Sequence, residues 1–230
     1  MMGSDIYGPP CTSLGDCWAC VNYLARKSIL EDREILLSWF VIRPPGIARP
    51  VSAKEKLEEI VSVMDTGSAR LSLTDKYPTV NIPFHCQAHD GPYFPAKRTW
   101  KPGGHGRICV QLFNSQMPEI NPRCLPLHVS RGMGELLGSL GREVVPLGSH
   151  LTLAECIRLM AESDLFVGMD SGMSHLCHSV GTPMLLHKWR GKDMLDVYHP
   201  GKAFERFGSV EEARAAIGRM LPSTKSMPSC

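Results

Sequence analysis

The residues that most clearly suggest chemistry lie where a short apolar run ends in Asp170-Ser171-Gly172 and a helix-forming run begins at once. In an open parallel sheet, ligands bind beyond the carboxyl ends of the strands. A helix that starts there presents unpaired N–H groups and a partial positive charge, which stabilise an anion by about 0.3–2 kcal/mol. Gly172 lets a phosphate approach the backbone, while Ser171, Ser174 and His175 carry hydroxyl and imidazole donors. The pattern predicts an anion-binding turn.

The same turn also has a purely structural interpretation. Ser171 would cap the new helix, and His175 would be a buried side chain whose hydrogen bonds are satisfied inside the protein. The spacing by itself favours neither interpretation.

A second candidate is Asp16, at the end of Thr12-Ser13-Leu14-Gly15-Asp16. A carboxylate at a helix start can cap the helix, which contributes about 1 kcal/mol. It can instead take a proton from an attacking hydroxyl, a role worth roughly 10²–10⁴-fold in rate. From this loop alone, capping is the simpler interpretation.

The elements that must position these residues alternate between apolar strand runs and amphipathic helix runs, separated by many of the 39 glycines and prolines. Alternation of this kind predicts an α/β protein with mainly parallel sheets. We expect two Rossmann-like domains, the N-terminal one reduced. The expected boundaries are residues 1–92 for the first domain, 93–106 for a connector, 107–221 for the second domain and 222–230 for a tail.

Individual segments follow from periodicity and from capping signals. Helices are expected over about 16–27, 52–64, 126–140, 151–163, 172–181 and 210–221, with Ser52 and Glu55 as a capping box for the second of them. Strands are expected near residue 6 and at 35–42, 69–73, 79–83, 107–113, 143–148, 164–170, 183–188 and 204–209.

Residues 151–187, which contain the Asp-Ser-Gly-Met-Ser-His-Leu run followed by Gly181-Thr182-Pro183, resemble the lipopolysaccharide heptosyltransferases of glycosyltransferase family 9. The resemblance implies a compact GT-B fold with a nucleotide-sugar donor in the cleft, held mostly by the C-terminal domain. It also implies that Gly172, Met173 and Ser174 approach the diphosphate. Asp170 would meet sugar hydroxyls, and His175 would meet the diphosphate or the sugar.

The N-terminal loop agrees with this resemblance, because the family carries a similar Ser-x-Gly-Asp loop whose Asp is the proposed general base. Together with the donor motif, it favours Asp16 as the base over Asp16 as a cap. The family also places a cation near the loop after the first strand of the C-terminal domain. Here that loop offers Arg123 with Ser115 and Gln116, while Arg190 and Lys192 are alternatives.

Composition excludes several other classes of protein. Among 230 residues, 25 Lys and Arg nearly balance 23 Asp and Glu, so no basic field requires nucleic acid. No apolar run is long enough to span a membrane, and the N-terminus lacks a signal-peptide pattern, so a cytoplasmic protein is expected. The nine cysteines are odd in number and scattered, which favours reduced core residues over disulfides.

Three further motifs allow more than one interpretation. The Cys17–Cys20 pair has redox spacing, but it shares an apolar helix face with Val21 and Leu24, which favours packing. No Asp-x-Asp motif suggests a metal, and no cofactor is expected. The aromatic and basic segment 93–101 could bind nucleic acid, although a hinge that packs on its neighbours is the simpler interpretation.

The sequence therefore predicts an inverting, metal-independent glycosyltransferase that moves a hexosyl or heptosyl group from a nucleotide-diphosphate sugar to a hydroxyl. The first half, about 105 residues long, leaves the acceptor open among glycan, lipid, protein and modified nucleic acid. The alternatives are a non-catalytic nucleotide- or sugar-binding module and an enzyme, such as an epimerase, that acts on the nucleotide-sugar without transfer.

Overall fold

The computed structural model describes residues 5–41, 51–82, 93–102, 104–112, 124–188 and 204–221. The chain divides between Lys97 and Arg98 into two compact units, at a point inside the predicted connector. Each unit contains a sheet whose strands all run parallel. The predicted α/β class with two Rossmann-like sheets is confirmed.

The first unit is built on a four-stranded sheet. Its strands are β1 (Ile6–Gly8), β2 (Ile35–Ser38), β3 (Leu71–Thr74) and β4 (Val80–Asn81), and its helices are α1 (Leu14–Glu31) and α2 (Lys54–Val63). The strand order is β3-β2-β1-β4. This order places the β1 carboxyl end, from which the Asp16 loop emerges, in the middle of the sheet.

Helix α1 follows from its cap and its apolar stripe. The Ser13 hydroxyl accepts the N–H of Asp16 at 3.2 Å, which starts the helix at Leu14, earlier than periodicity predicts. Cys17, Val21 and Leu24 are fully buried on its inner face. The predicted capping box of α2 is wrong: the N-cap position falls on Ala53, and the Ser52 hydroxyl accepts the N–H of Lys54 at 3.2 Å.

The second unit is built on a five-stranded sheet flanked by four helices among its described residues. Its strands are β5 (Arg107–Val110), β6 (Glu143–Pro146), β7 (Leu165–Gly168), β8 (Met184–His187) and β9 (Glu205–Phe207); its helices are α3 (Leu127–Gly138), α4 (Leu153–Ala161), α5 (Gly172–Val180) and α6 (Val210–Met220). No helix of the described chain combines the length and apolarity needed to cross a membrane.

One face of this sheet forms the core of the second unit. Alternate strand residues such as Ile108, Val167 and Phe207 point into it because successive side chains of a strand face opposite sides. Helices α3 and α6 cover that face with apolar residues that include Met133 and Ile217. The strands are thereby held in fixed register, so their carboxyl ends form a rigid edge.

The strand order of the second unit, β6-β5-β7-β8-β9, determines where a ligand can bind. Numbered within the unit this is 2-1-3-4-5, a doubly wound order in which the direction of winding reverses between the first and third strands. A crevice opens at such a reversal beyond the carboxyl ends. Here the reversal lies between β5 and β7, and β7 leads directly into the predicted anion-binding turn.

Candidate functional site

The turn between β7 and α5 is short and ends in an open helix start. β7 ends at Gly168 and α5 begins at Gly172, with Ser171 in extended conformation as the N-cap. The N–H groups of Ser174 and His175 both reach the Ser171 carbonyl oxygen, at 3.1 and 3.3 Å. In the first turn of any helix the leading N–H groups have no intrahelical acceptor, so those of Gly172 and Met173 are available to an anion.

The two serines of the turn have different roles. The Ser174 hydroxyl is fully buried, accepts the N–H of Ser171 at 3.0 Å and donates to the Ser171 carbonyl oxygen at 2.7 Å. Ser174 therefore fixes the helix start from inside. The Ser171 hydroxyl instead donates to the side-chain oxygen of Gln111.

Gln111 joins the two strands at the reversal point. It directly follows β5, and its N–H donates to the Val167 carbonyl oxygen at 2.9 Å. Together with the side-chain bond from Ser171, this contact ties the carboxyl ends of β5 and β7 to each other. The turn is thus held at the edge where ligands bind in this fold.

Gly168 permits this close approach of the strands. A Cβ at this position would lie 2.7 Å from Cζ of Phe166 and 3.2 Å from the Gln111 carbonyl oxygen. Since real Cβ contacts do not occur at 2.7 Å, any larger residue would push the strand or the buried Phe166 ring aside.

Three ionisable residues lie near the turn: Asp170, His175 and Arg206. The Asp170 side chain is only 1% exposed, and its Oδ1 lies 3.9 Å from Nε2 of His175. Arg206, on β9, is close enough to interact electrostatically with Asp170: burial lowers the pKa of the guanidinium, and the Asp170 carboxylate partly offsets that effect. The Arg206 guanidinium therefore reduces the repulsion between the Asp170 carboxylate and an anion at the turn.

His187 ends β8 at the same edge. Its side chain is nearly buried, and its ring packs edge-on against Phe207 with centroids 5.5 Å apart. Its Nδ1 is buried and has no hydrogen-bond partner among the described residues. Burial lowers the pKa of His187, so the imidazole is neutral at pH 7.

Asp164, at the opposite end of β7, is structural. Its carboxylate accepts the N–H groups of His105 and Gly106 at 2.8 and 2.9 Å and forms a buried ion pair with Arg142. This network fixes the amino end of the strand that carries the turn.

Asp16, in the first unit, occupies the third position of α1. Its Oδ2 accepts hydrogen bonds from the Ser13 hydroxyl and from the Cys11 thiol, the latter at 2.8 Å. The preceding loop is held in turn, because the ammonium group of Lys56 donates to the Thr12 carbonyl oxygen. The carboxylate is partly exposed, which is compatible with both a capping and a proton-accepting role.

Five of the predicted residues cannot be placed in the site. Ser115, Gln116 and Arg123 lie outside the described residues, as do the alternative cations Arg190 and Lys192.

The connector residues are engaged in local packing. Phe94 lies 5.5 Å beneath the Arg26 guanidinium, Trp100 Nε1 donates to the Ser163 carbonyl oxygen at 2.8 Å, and Arg98 pairs with Glu162. These contacts favour the hinge interpretation over nucleic-acid binding.

The cysteines behave as packing residues. The seven within the described residues are free thiols, and all except Cys11 are buried. Burial raises the pKa of Cys17 to about 12 and that of Cys20 well above its ordinary value. The preference for packing over redox chemistry at this pair is confirmed.

Sequence reasoning missed Gln111, Arg206, His187 and Cys11. Gln111 directly follows β5 and His187 ends β8, so both lie at carboxyl ends of strands. Arg206 lies on β9, which pairs with β8. A polar residue at the carboxyl end of a buried parallel strand is the signal that could have identified Gln111 and His187. Arg206 required knowledge of strand order.

Comparison with known proteins agrees with this geometry. Residues 132–186 match the family described as glycosyltransferase family 9 (heptosyltransferase), which confirms the predicted resemblance over the segment that holds the turn. No curated protein sequence matches the chain.

Solved structures that share the fold include two of TibC. One is the bacterial iron-containing dodecameric glycosyltransferase TibC from enterotoxigenic E. coli H10407, with a TM-score of 0.60 and 14% identity over 90% of this chain. The other is the dodecameric iron-containing heptosyltransferase TibC in complex with ADP-D-beta-D-heptose, with a TM-score of 0.58 and 12% identity over 94% of this chain. The chain spans 65% of the length of the first and 76% of the second.

Proposed function

We propose that this chain is a glycosyltransferase whose second unit binds a nucleotide-diphosphate sugar and transfers the sugar to an acceptor hydroxyl. The observation that carries the proposal is the open start of α5 at the reversal point of a parallel sheet, within the segment that matches a glycosyltransferase family. The crystallised heptosyltransferase of similar fold contains a nucleotide-sugar, which supports the same class of donor.

In this proposal the diphosphate lies at the start of α5. The N–H groups of Gly172 and Met173 bind its oxygens, and Gly172 provides the close approach. Arg206 partly balances the charge of the buried Asp170 carboxylate, which accepts hydrogen bonds from sugar hydroxyls, and His175 lies beside it. In this proposal Arg206 has the cationic role that the sequence predicted for Arg123.

The proposed reaction is a single displacement. Asp16 takes the proton of the acceptor hydroxyl as its oxygen attacks the anomeric carbon. The bond from that carbon to the diphosphate oxygen breaks, and the nucleotide diphosphate leaves with the electron pair. Attack opposite the leaving group inverts the anomeric centre. The helix N–H groups and Arg206 stabilise the negative charge that develops on the diphosphate.

We further propose that the reaction needs no metal, because the N–H groups of a helix start and the Arg206 guanidinium can stabilise the charge of the leaving group. Assays in excess EDTA should retain the full rate. A loss of activity that is restored by adding Fe²⁺ or Mg²⁺ would show that a metal takes part.

The nucleotide-sugar that the chain binds is best identified by the increase in thermal stability that it causes. Thermal unfolding should be followed with ADP-, UDP-, GDP- and TDP-sugars, starting with ADP-heptose because the TibC complex contains it. A ligand present at about 100 times its dissociation constant adds about 2.7 kcal/mol to the free energy of unfolding. Hexosyl donors in the same series distinguish hexosyl from heptosyl transfer.

Asp16→Asn tests the transfer step. Asparagine keeps an oxygen acceptor for the Ser13 and Cys11 hydrogen bonds but cannot take a proton. We expect unchanged donor affinity and a turnover lower by at least about 10². Asp32→Asn is the matched control, since its side chain is 99% exposed at the other end of α1. Full activity of Asp16→Asn would exclude Asp16 as the base.

A non-catalytic donor-binding module is the second candidate, favoured by the four-stranded sheet of the first unit and by the 65% coverage of TibC. It predicts a donor-induced stability shift without release of nucleotide diphosphate under any acceptor condition. Product analysis after incubation with the donor separates the two candidates and would also reveal epimerisation.

A further inference from the structure

We propose that Cys11 is a positioning residue for Asp16: its thiol holds one carboxylate oxygen, so that the other oxygen receives the acceptor proton. The inference rests on the proposed function, in which Asp16 is the general base. It assigns a role to the one cysteine of the described chain that is not buried.

The hydrogen bonds at Asp16 are one-sided. The Cys11 Sγ donates to Oδ2 at 2.8 Å, and the Ser13 hydroxyl donates to the same Oδ2. Within the described ranges no hydrogen bond reaches Oδ1. A carboxylate held by two donors on one oxygen keeps a single orientation, and its second oxygen stays available as a proton acceptor.

Cys11 is itself held in place. Its sulfur accepts the N–H of Ser13 at 3.3 Å, and its carbonyl oxygen accepts the Cys17 thiol at 3.4 Å. The next carbonyl oxygen, of Thr12, accepts the Lys56 ammonium group. The thiol therefore sits in a loop fixed from α1 and from α2, which is what positioning a neighbour requires.

The thiol is also in the protonated form that can donate. Burial, and second the hydrogen bond to Asp16, raise the pKa of Cys11 above its ordinary value. The titratable groups that face this region are Cys17 and Cys20 from α1 and Lys56 from α2, as their electrostatic interactions show. Both thiols are neutral at pH 7, so Lys56 is the charged neighbour.

The test compares Cys11→Ala, which removes the hydrogen-bond donor to Asp16, with Cys11→Ser, which keeps a hydroxyl as the hydrogen-bond donor. Turnover is measured from pH 5 to pH 9 with the donor identified by the stability screen. For Cys11→Ala we expect kcat to fall about tenfold with donor KM unchanged, and the acid limb of the pH profile to move to higher pH. Cys11→Ser should retain the wild-type profile and at least about half of the rate.

Cys11→Val provides the same comparison at nearly constant volume, should the alanine variant fail to fold. A merely structural role would lower kcat without moving the acid limb, and serine would give no rescue. Either of these results overturns the inference. A wild-type pH profile in both Cys11→Ala and Cys11→Val, which lack the hydrogen-bond donor, overturns it as well. The failure of the proposed base is seen separately, as full activity of Asp16→Asn.

Discussion

Replacing Gly168 with alanine tests whether the close approach of β7 to β5 builds the turn that carries Asp170. The new Cβ would lie 2.7 Å from Cζ of Phe166 and 2.9 Å from its Cε1. Phe166 is fully buried, so a shift of its ring disturbs the residues packed around it. Either this ring or the strand must move, and the Gln111 carbonyl oxygen would also be only 3.2 Å from the same Cβ.

The magnitude follows from comparison with a glycine in open space. Gly134, in α3, would place a Cβ with nothing within 4 Å, so alanine there should stabilise the helix by about 0.5–1 kcal/mol. Both substitutions remove similar freedom from the unfolded chain. Their difference in unfolding free energy therefore isolates the clash, and we expect Gly168→Ala to be less stable than Gly134→Ala by about 1–3 kcal/mol.

Urea unfolding followed by circular dichroism gives this difference directly, and calorimetric titration with the donor gives its consequence for binding. The shifted turn should weaken donor binding about tenfold or more in Gly168→Ala, since misplaced groups lose well-oriented hydrogen bonds. Donor affinity should be unchanged in Gly134→Ala. Equal stability of the two variants would refute the packing explanation, and equal affinity would refute the link between strand approach and donor site.

Three further outcomes are expected. Arg206→Ala should raise the dissociation constant of the nucleotide-sugar about 10- to 100-fold, as measured by calorimetry. Arg219→Ala, which loses only an exposed ion pair with Glu205, should leave it unchanged. Equal effects of the two substitutions would contradict a contact between Arg206 and the nucleotide-sugar. Asp164→Asn breaks its buried pair with Arg142 and should lower the unfolding free energy by about 3–5 kcal/mol in urea, and a loss below about 1 kcal/mol would match a surface pair instead. Burial lowers the pKa of His187, so the unfolded chain binds more protons than the folded protein below about pH 6.5. The free energy of unfolding should therefore fall from pH 7 towards pH 5, and it should fall less in His187→Gln. An identical pH dependence of both proteins would contradict this.

Local sequence patterns accounted for the elements and for the turn. The apolar run before Asp170 and the small residues after it dictate a strand followed at once by a helix, and the structure has β7 and α5 there. Ser209 likewise caps α6, accepting the N–H of Glu212 at 3.2 Å. Such features depend on residues only a few positions apart, so the chain specifies them before it folds.

The local pattern failed at the start of α2. Ser52 and Glu55 fit a capping box, yet α2 starts at Lys54. Ser52 forms a backbone bridge with Phe40, which follows β2, and its hydroxyl accepts the N–H of Lys54 at the helix start. The long-range pairing of Ser52 was not encoded in the local pattern.

What the sequence by itself determined is therefore the succession of strands and helices, and the strand-to-helix turn at residues 170–175. Only the tertiary structure decided which strands are neighbours, and with them the partners of that turn. Gln111 is 60 positions from Ser171 in the chain and meets it because β5 lies beside β7. Arg206 reaches Asp170 because β8 and β9 extend the same sheet. Strand order is set by how helices bury both faces of the whole sheet, and no local spacing encodes it.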